Sequence, residues 1–564
     1  MALIYPWLHG QTAIPRRLWR WGLLALMGLG AVLSATPGQT AEEIIISFGL
    51  LERTVAIGDL EQFAKTGQLT PQLQSYNRLL GLSADQLAQF RQVLITPAET
   101  LSHVAIAQFF YTEQGEILLN ELVQVVRTPA RQGDFFALRA ALILGAAYAE
   151  DGVTLLDVLK AYPMEAIRID LAGGFAIAQA VNRAIFQSEQ AVALVQDLAQ
   201  QEAAAAPMDA GAFADLLQLL QENRRYGVQR VNLVVPGLTR PVALYLPQVL
   251  GEQRSPSQGF PLVIISHGLG GTRESYAYLA NFLATGGVAV AAIEHTGSNA
   301  QQLMALLEGL TDAVVADDEF IRRPQDVSQV ISALKRTQTP RLTLPVRLDM
   351  DRIGVVGQSF GGYTALALAG ATFDQAKLEE FCPPSQISLN PSLLLQCQAV
   401  RLGDPGGRLA DPRVRSIFVM NPIGSVVFGE SGYGLITVPT MVVAGTADTV
   451  SPAFPEQIQP FTWLTTPERF LLLLNQGTHF SVIGDVAQAE PPLALPPALI
   501  GPRPDLAQSY MQILALAFFQ LTLNQDERYR PMVQAAFAEK LSAEALPMDL
   551  TRTLSAADLQ EALR

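Results

Sequence analysis

A serine flanked by glycines lies at the end of an apolar run. Residues 355–370 read VVGQSFGGYTALALAG, so Ser359 stands between Gly357 and Gly361 in a Gly-x-Ser-x-Gly pattern. The preceding run favours a strand and the alanine-rich run that follows favours a helix. A sharp strand-to-helix turn would strain the backbone at the serine, and the two glycines would leave room for it. Backbone N–H groups at the helix N-terminus would face incoming negative charge, so the hydroxyl is placed to attack a carbonyl.

A nucleophilic serine needs a base to take its proton and an acid to orient that base. On this kind of turn the chain order is serine, acid, histidine. The sequence has a single histidine after Ser359, namely His479 in NQGTHFS. Asp448 follows the predicted strand 440–445, whereas the strand before it ends in the uncharged Asn421. We therefore predict that Ser359, Asp448 and His479 are the catalytic residues.

The oxyanion that forms during acyl transfer needs N–H donors. A glycine-rich loop, SHGLGGTRES, covers residues 266–275 after a predicted strand. We predict that the backbone N–H groups of Leu269 and Phe360 form the oxyanion hole. His267 is interpreted as a turn histidine that shapes this loop. His295 ends its own strand and either lines the pocket or is structural.

Short apolar runs alternate with helical runs through residues 226–540. This alternation predicts a mostly parallel sheet with helices on both faces. Ligands bind beyond the carboxyl ends of the strands in such sheets, so the catalytic residues should meet there. The predicted strands are a hairpin over 230–248 and then 261–268, 288–295, 352–357, 414–421, 440–448 and 469–479.

Helical periodicity fills residues 42–225. In GLSADQLAQF, Ser83 is a predicted N-cap with Gln86 three residues later, which is a capping box. TLLDVLKAYP and AFADLLQLLQEN show the same amphipathic spacing. We predict an all-helical domain over 42–225, a catalytic domain over 226–540 and a C-terminal tail over 541–564.

Residues 1–41 have the composition of an export signal. Arg16, Arg17 and Arg20 precede an apolar segment over 21–35, and small residues follow. We interpret this segment as a signal peptide, which would send the protein to the periplasm, a lumen or the extracellular space. The alternative is an uncleaved membrane anchor.

The composition excludes some functions. The chain has 564 residues, of which 49% are apolar and 16% charged, with a formal net charge of −14. Single cores rarely grow beyond about 300 residues, so more than one domain is expected. An acidic chain with no basic stripe is a poor nucleic-acid binder, and none is predicted as a partner.

The sequence contains two cysteines, Cys382 and Cys397. In an exported protein a close, even pair favours a disulfide, and the alternative is two buried free thiols. No histidine lies near enough in the sequence to complete a zinc site with them. We predict no metal and no organic cofactor.

Several motifs resemble those of the α/β-hydrolase superfamily. ISHGLGGTRESY, EHTGS, RRPQDVSQVI and GQSFGGYTAL resemble the platelet-activating-factor acetylhydrolase and predicted dienelactone-hydrolase group. SFGLLERTVAIGDLEQFAKTG and TLLDVLKAYPMEAIRIDL resemble the helical domain that precedes many cyanobacterial α/β-hydrolases. The resemblance implies a triad of Ser359, Asp448 and His479, with the Leu269 and Phe360 N–H groups as the oxyanion hole.

The chain also differs from those groups. Gln358 stands where the acetylhydrolases usually carry histidine, and the nucleophile is serine where a true dienelactone hydrolase has cysteine. We predict a serine hydrolase of carboxylic esters, with small ester or lipid-like substrates. The alternatives are a prolyl-oligopeptidase-like peptidase, since SFGGY also occurs there, and a non-catalytic binding protein of the same fold.

Three insertions could shape the pocket. Residues 297–320 follow a predicted strand end and are apolar, residues 371–411 contain the two cysteines, and the proline-rich residues 481–505 follow His479. Apolar loops beside a catalytic site suggest an acyl-chain site or contact with a membrane surface. The alternative is ordinary packing of these loops on the sheet.

Overall fold

The computed structural model describes most of the chain. The described residues are 40–48, 51–97, 103–149, 152–251, 255–316, 318–337, 344–383, 389–403, 405–484 and 497–564. The signal predicted over residues 1–41 therefore lies almost entirely outside them. Within the described ranges, no helix is both long enough and apolar enough to cross a bilayer.

The N-terminal region is not all-helical, which corrects the sequence-based expectation. β1 (Glu43–Phe48) pairs with β2 (Leu51–Ala56), and β1 also pairs in parallel with β4 (Ala166–Asp170). The short β3 (Val126–Arg127) completes a sheet of order β2-β1-β4-β3. The β-branched run Ile44–Ile46 favours a strand, and in β4 the alternation of Ile167, Arg168 and Ile169 does so as well. The helical spacing of the neighbouring segments concealed these strands.

Helices surround this small sheet. Their cluster of buried side chains includes Ile44, Phe63, Leu119 and Ile167, which joins both element types in one core. The predicted capping box at Ser83 and Gln86 is present in α3. The helices described here are α1 Ile57–Thr66, α2 Pro71–Leu80, α3 Ala84–Ile95, α4 His103–Phe110, α5 Glu113–Leu122, α6 Phe135–Tyr148, α7 Leu155–Ala161, α8 Leu171–Ala205 and α9 Ala210–Asn223.

A large, mostly parallel sheet forms the rest of the molecule and confirms the predicted fold class. Its order in the described residues is β13-β12-β11-β10-β9-β7-β8-β6-β5, with antiparallel pairs at its two ends. The strands are β5 Gly227–Leu233, β6 Val242–Gln248, β7 Phe260–Ser266, β8 Ala289–Ile293, β9 Leu348–Gln358, β10 Val414–Met420, β11 Thr440–Gly445, β12 Arg469–Leu474 and β13 Met548–Thr551.

Both faces of this sheet are buried. Val355 belongs to the core on one face and its neighbour Val356 to the core on the other, as the alternation of side chains along a strand requires. The helices are α10 Ala277–Thr285, α11 Ala300–Leu307, α12 Glu319–Thr337, α13 Phe360–Leu368, α14 Gln375–Phe381, α15 Leu393–Gln396, α16 Ser425–Tyr433, α17 Gln459–Phe461, α18 Pro497–Ile500, α19 Pro504–Thr522, α20 Ala535–Leu541 and α21 Ala556–Ala562.

The segment expected to be a C-terminal tail belongs to the sheet. β13 pairs antiparallel with β12, and Leu546 and Leu550 are fully buried. A four-residue strand leaves little periodicity for sequence reading to detect. Residues 541–564 are therefore an integral part of the domain built on the large sheet.

The long helix α8 connects the two regions. At 35 residues it spans about 50 Å. Ala191 and Val195 are buried in the core of the large sheet, and Glu202 accepts hydrogen bonds from the Thr551 hydroxyl and the Arg552 N–H. The N-terminal region is thus anchored against the edge of the large sheet.

Candidate active site

Ser359 occupies a tight turn between β9 and α13. Its backbone has φ 55° and ψ −118°, a conformation that costs a residue with a side chain of the order of 1–3 kcal/mol. A Cβ on Gly357 would come closer than 3.0 Å to the carbonyl of Gly361, and a Cβ on Gly361 would do the same at the carbonyl of Ser266. Both glycines are therefore required by backbone contacts.

Asp448 lies in the turn after β11 and is held by four hydrogen bonds. Oδ2 accepts from Nδ1 of His479 and from Nδ2 of Asn421, both at 2.7 Å. Oδ1 accepts from the N–H groups of Val450 (2.8 Å) and Ser451 (2.7 Å). The carboxylate is buried and every contact donates to it, which suits an ionised acid fixed in one orientation.

His479 lies in the turn after β12 and is also buried. Because Nδ1 donates to Asp448, Nε2 is the ring nitrogen left to act as a base. Among the described residues, no hydrogen bond joins the Ser359 hydroxyl to this ring. Catalytic hydrogen bonds in unliganded enzymes are often long and tighten when substrate binds.

Gln358 connects the nucleophile turn to the histidine. Its Nε2 donates to the backbone carbonyl of His479 at 3.1 Å, and its Oε1 lies against Gly268 in the glycine-rich loop. Gln358 directly precedes Ser359, so its side chain joins the three segments predicted to carry Ser359, His479 and the Leu269 N–H. In the sequence this residue stands out only as a departure from the acetylhydrolase pattern.

The predicted oxyanion donors lie beside the nucleophile. Phe360 is the first residue of α13, and Leu269 follows β7 in the glycine-rich loop. A Cβ on Gly268 would lie 3.2 Å from Cβ of Ser359, so this loop packs directly against the serine. Within the described residues, neither the Leu269 nor the Phe360 N–H donates to another protein group. Both are available for a developing oxyanion.

A buried network supports that loop from behind. His267 donates from Nδ1 to the Gly268 carbonyl at 2.7 Å and accepts at Nε2 from the N–H of His295 at 3.0 Å. His295 lies 3.0 Å from both Ser266 Oγ and Asp326 Oδ2. Burial lowers the pKa of both histidines well below its ordinary value, and the charge of nearby Arg323 lowers it further. His267 thus shapes the loop as interpreted from the sequence, and the fully buried His295 is structural.

Sequence reasoning missed Arg323, which is completely buried at the centre of this network. It donates to the Ser298 hydroxyl at 2.8 Å, to the Thr364 hydroxyl at 3.2 Å and to the His267 carbonyl, and its guanidinium lies 4.5 Å from the Phe360 ring centre. Burial lowers its pKa to about 10. Arg323 lies in the motif RRPQDVSQVI, but its partners come from distant segments of the chain, so no local pattern identifies them.

Asp326 and Glu319 supply the negative charge near this arginine. Burial raises the pKa of Asp326 to about 6 and also raises that of Glu319. The glycine-rich loop therefore packs on a layer of buried polar side chains that has little contact with water.

A second residue that sequence reasoning missed is Glu456, which lies just after the turn that holds Asp448. It links this turn to the insertion 371–411. It is fully buried and accepts hydrogen bonds from the Ser425 hydroxyl (2.6 Å), Gln396 Nε2 (2.8 Å) and the Ser392 hydroxyl (3.0 Å). Cys382 and Cys397 form a disulfide within the same insertion. Glu456 thus holds the insertion against the segment that follows β11, and the disulfide closes a loop within the insertion.

The remaining catalytic-edge insertions differ in what can be described. Residues 297–320 contain α11, whereas about half of 481–505, from 485 to 496, lies outside the described residues. Across the described ranges, no group of three or more His, Cys, Asp or Glu side chains is arranged to hold a metal ion.

Two family models match separate parts of the chain. The family described as "Alpha/beta hydrolase of unknown function (DUF1400)" matches residues 40–170, and that described as "Platelet-activating factor acetylhydrolase, isoform II" matches residues 212–322. The second match includes the glycine-rich loop and ends before Ser359.

Two curated relatives are similar to part of the chain. Platelet-activating factor acetylhydrolase of Bos taurus is 28% identical over 167 residues, covering 24% of this chain and 36% of that protein. The Canis lupus familiaris protein of the same name is 29% identical over 138 residues, covering 19% and 31%. The chain thus spans about a third of the length of the curated relatives it matches.

Proposed function

Because this chain is a member of the α/β-hydrolase superfamily that resembles platelet-activating factor acetylhydrolases, we propose that it is a serine esterase acting on carboxylic esters of lipid-like compounds. The observation that carries the proposal is the hydrogen-bonded pair of Asp448 and His479 at the strand ends where the Ser359 turn also lies. The similarity to acetylhydrolases supports the lipid-like substrate.

The proposed reaction has two halves. Nε2 of His479 takes the hydroxyl proton as Ser359 attacks the ester carbonyl, and the Leu269 and Phe360 N–H groups donate to the oxyanion. The tetrahedral intermediate then expels the alcohol, which takes the proton from the imidazolium and leaves an acyl-enzyme. Asp448 holds the ring and stabilises its positive charge without being protonated.

Deacylation repeats these steps with water. His479 removes a proton from the water as its oxygen attacks the acyl carbonyl, and the proton is returned to the Ser359 oxygen as the carboxylic acid leaves. The net reaction consumes one ester and one water and releases one acid and one alcohol.

A panel of p-nitrophenyl esters of increasing acyl length, run beside a short-acyl phospholipid, tests the proposal. We expect hydrolysis that is lost in Ser359→Ala, with the phospholipid among the substrates. Rates unaffected by that substitution, or activity confined to peptide amides, would contradict an esterase.

One observation favours a non-catalytic binding protein as the second candidate. Ser359 is only 6% exposed and makes no hydrogen bond to His479 within the described residues. In that case the purified protein would bind esters without turnover, so saturable binding in the absence of product release separates the two functions.

We also propose that residues 1–41 direct export, on the basis of their composition. Expression in a secreting host followed by intact-mass measurement tests this. Loss of the N-terminal segment and appearance outside the cytoplasm are expected, whereas retention of the full-length mass in the membrane fraction would support the anchor instead.

A further inference from the structure

The N-terminal region contacts three segments that follow strand ends on the catalytic side. Helix α4 packs on α11, which follows β8, and α5 packs on α15, which follows β9. Helix α8 packs on the turn Phe454–Ile458, which follows β11. Since the carboxyl ends of parallel strands lie along one edge, these contacts place the N-terminal region over the edge that carries Ser359.

A cavity of about 290 Å³ lies where α8 meets the catalytic domain. Helix α8 forms one wall, and the insertion 371–411 with its disulfide forms another. The third wall is the segment that follows the turn holding Asp448. Most of the lining side chains are apolar. Those that matter here are Ala184, Phe381, Leu393, Val426, Pro452 and Phe454.

This cavity borders the catalytic turns. Pro452 directly follows Ser451, whose N–H donates to Asp448 and whose hydroxyl donates to the Pro422 carbonyl. Next along the chain, the N–H of Ile423 donates to the carbonyl of Ser359 at 3.4 Å. Two walls of the cavity, at Val426 and Pro452, lie in the segments that follow β10 and β11. β10 pairs with β9, the strand that precedes Ser359, and β11 pairs with β10, so these walls lie at the same edge of the sheet as the serine.

The walls are held rigidly. Gln396 accepts at Oε1 from the N–H of Val426 at 3.0 Å and donates from Nε2 to Glu456. The disulfide between Cys382 and Cys397 closes a loop within the same insertion and so restricts its backbone. A preformed apolar cavity with fixed walls suits an unbranched hydrocarbon chain, because little ordering is needed on binding.

A second cavity differs from the one at α8 because charged side chains line it. A cavity of about 590 Å³ beside the glycine-rich loop is lined by Arg230, Arg240, Arg273, Glu274 and Glu294. Its polar walls would have to be desolvated by a hydrocarbon, which is unfavourable. The apolar cavity at α8 is the better match for an acyl chain.

We infer that the cavity at α8 receives the acyl chain of the ester, and that the N-terminal region, through Ala184, limits the chain length that is accepted. This inference rests on the proposed esterase function. It assigns the N-terminal region a role in substrate selection in addition to its structural contacts.

Ala184→Trp tests this by filling the cavity from α8. We expect the ratio of kcat/KM for p-nitrophenyl decanoate to that for p-nitrophenyl acetate to fall about tenfold or more, since excluding a few methylenes from an apolar site has an effect of this size. Glu189→Trp is the matched control, because it adds the same side chain at an exposed position of α8 outside the cavity lining. Its ratio should equal that of the wild type.

Phe381→Ala enlarges the cavity, whereas Ala184→Trp fills it. Removing this ring from the lining should raise the decanoate-to-acetate ratio, and thermal unfolding of each variant identifies any loss of folding. An unchanged ratio in both variants would overturn the inference while leaving the esterase intact, whereas failure of the function itself would appear as wild-type rates equal to those of Ser359→Ala.

The cavity could instead bind the alcohol part of the ester. A series of acetate esters with increasingly long alcohols distinguishes this from binding of the acyl chain. If Ala184→Trp selectively impairs the long-alcohol acetates and leaves the acyl series unchanged, the cavity binds the alcohol and the inference is wrong.

Discussion

Nδ1 of His479 donates a hydrogen bond to Oδ2 of Asp448 over 2.7 Å, and the same oxygen also accepts from Asn421 at 2.7 Å. This arrangement fixes the ring tautomer and leaves Nε2 as the proton acceptor. The asparagine comes from the end of β10 and the aspartate from the end of β11, so neighbouring strands cooperate in holding one carboxylate.

Asp448→Asn tests the importance of this contact. The amide preserves the shape but offers an N–H in place of an acceptor, so the ring should lose its productive tautomer, and kcat for p-nitrophenyl acetate should fall by about 10⁴-fold. Asn421→Ala, which removes only the supporting donor, should have a much smaller effect. Comparable rates for Asp448→Asn and the wild type would show that this carboxylate is not part of the machinery.

Gln358 is predicted to act as a positioning residue. Gln358→Leu keeps the approximate volume but removes the donor to the His479 carbonyl, so kcat should decrease about tenfold while KM changes little, as expected for the loss of one buried hydrogen bond. Steady-state kinetics over a range of ester concentrations provide the measurement. A change confined to KM would instead place Gln358 in substrate binding.

The glycine at position 361 is predicted to be essential for folding. In Gly361→Ala the new Cβ would collide with the Ser266 carbonyl, which belongs to the adjacent strand, and destabilisation by about 3 kcal/mol or more is expected. Gly58→Ala is the control, because nothing lies within 4 Å of that Cβ, and replacing glycine within helix α1 should be neutral or stabilising. Urea unfolding measures both, and equal stabilities would contradict the close approach.

The buried histidines predict a loss of stability in mild acid. Burial and the charge of Arg323 keep the pKa of His267 and of His295 well below 6.5, so the unfolded chain takes up protons that the folded protein excludes. The free energy of unfolding should therefore decrease as pH falls below about 6.5, by about 1.4 kcal/mol per pH unit for each histidine. Asp326 changes the free energy of unfolding with pH in the opposite direction to the histidines. Because its pKa in the folded state is raised to about 6, its contribution is present at low pH and is lost as pH rises through about 4 to 6.

Urea unfolding between pH 5.5 and 7.5 measures this dependence. His295→Asn should reduce the pH slope by the share of one histidine, whereas substitution of the exposed His103 by Asn should leave it unchanged. Identical slopes in the wild type and in His295→Asn would show that His295 does not contribute.

The sequence was most informative where chemistry depends on chain order. With one histidine after Ser359 and one acid at a suitable strand end, the order of residues was sufficient to nominate His479 and Asp448. Strand–helix alternation similarly predicted the large sheet, because most of its central strands are short apolar runs separated by helical segments.

Other features depend on contacts that no local pattern records. Arg323 and Glu456 acquire their roles only when segments far apart in the chain converge on them, so nothing in their neighbours identifies those partners. β1 was missed because it is a short strand next to segments with helical periodicity. β13 was missed because a strand of four residues is too short to show a clear alternation. The contact of α8 with the catalytic edge is likewise a product of tertiary packing.

Covalent labelling is the most direct test of the central claim that Ser359 is an activated nucleophile. Treatment with a fluorophosphonate and measurement of intact mass should show a single adduct on the wild type, located on Ser359 by peptide mapping. The adduct should be absent in Ser359→Ala and form far more slowly in His479→Ala. An unlabelled wild-type protein, or equal labelling of wild type and Ser359→Ala, would contradict the account.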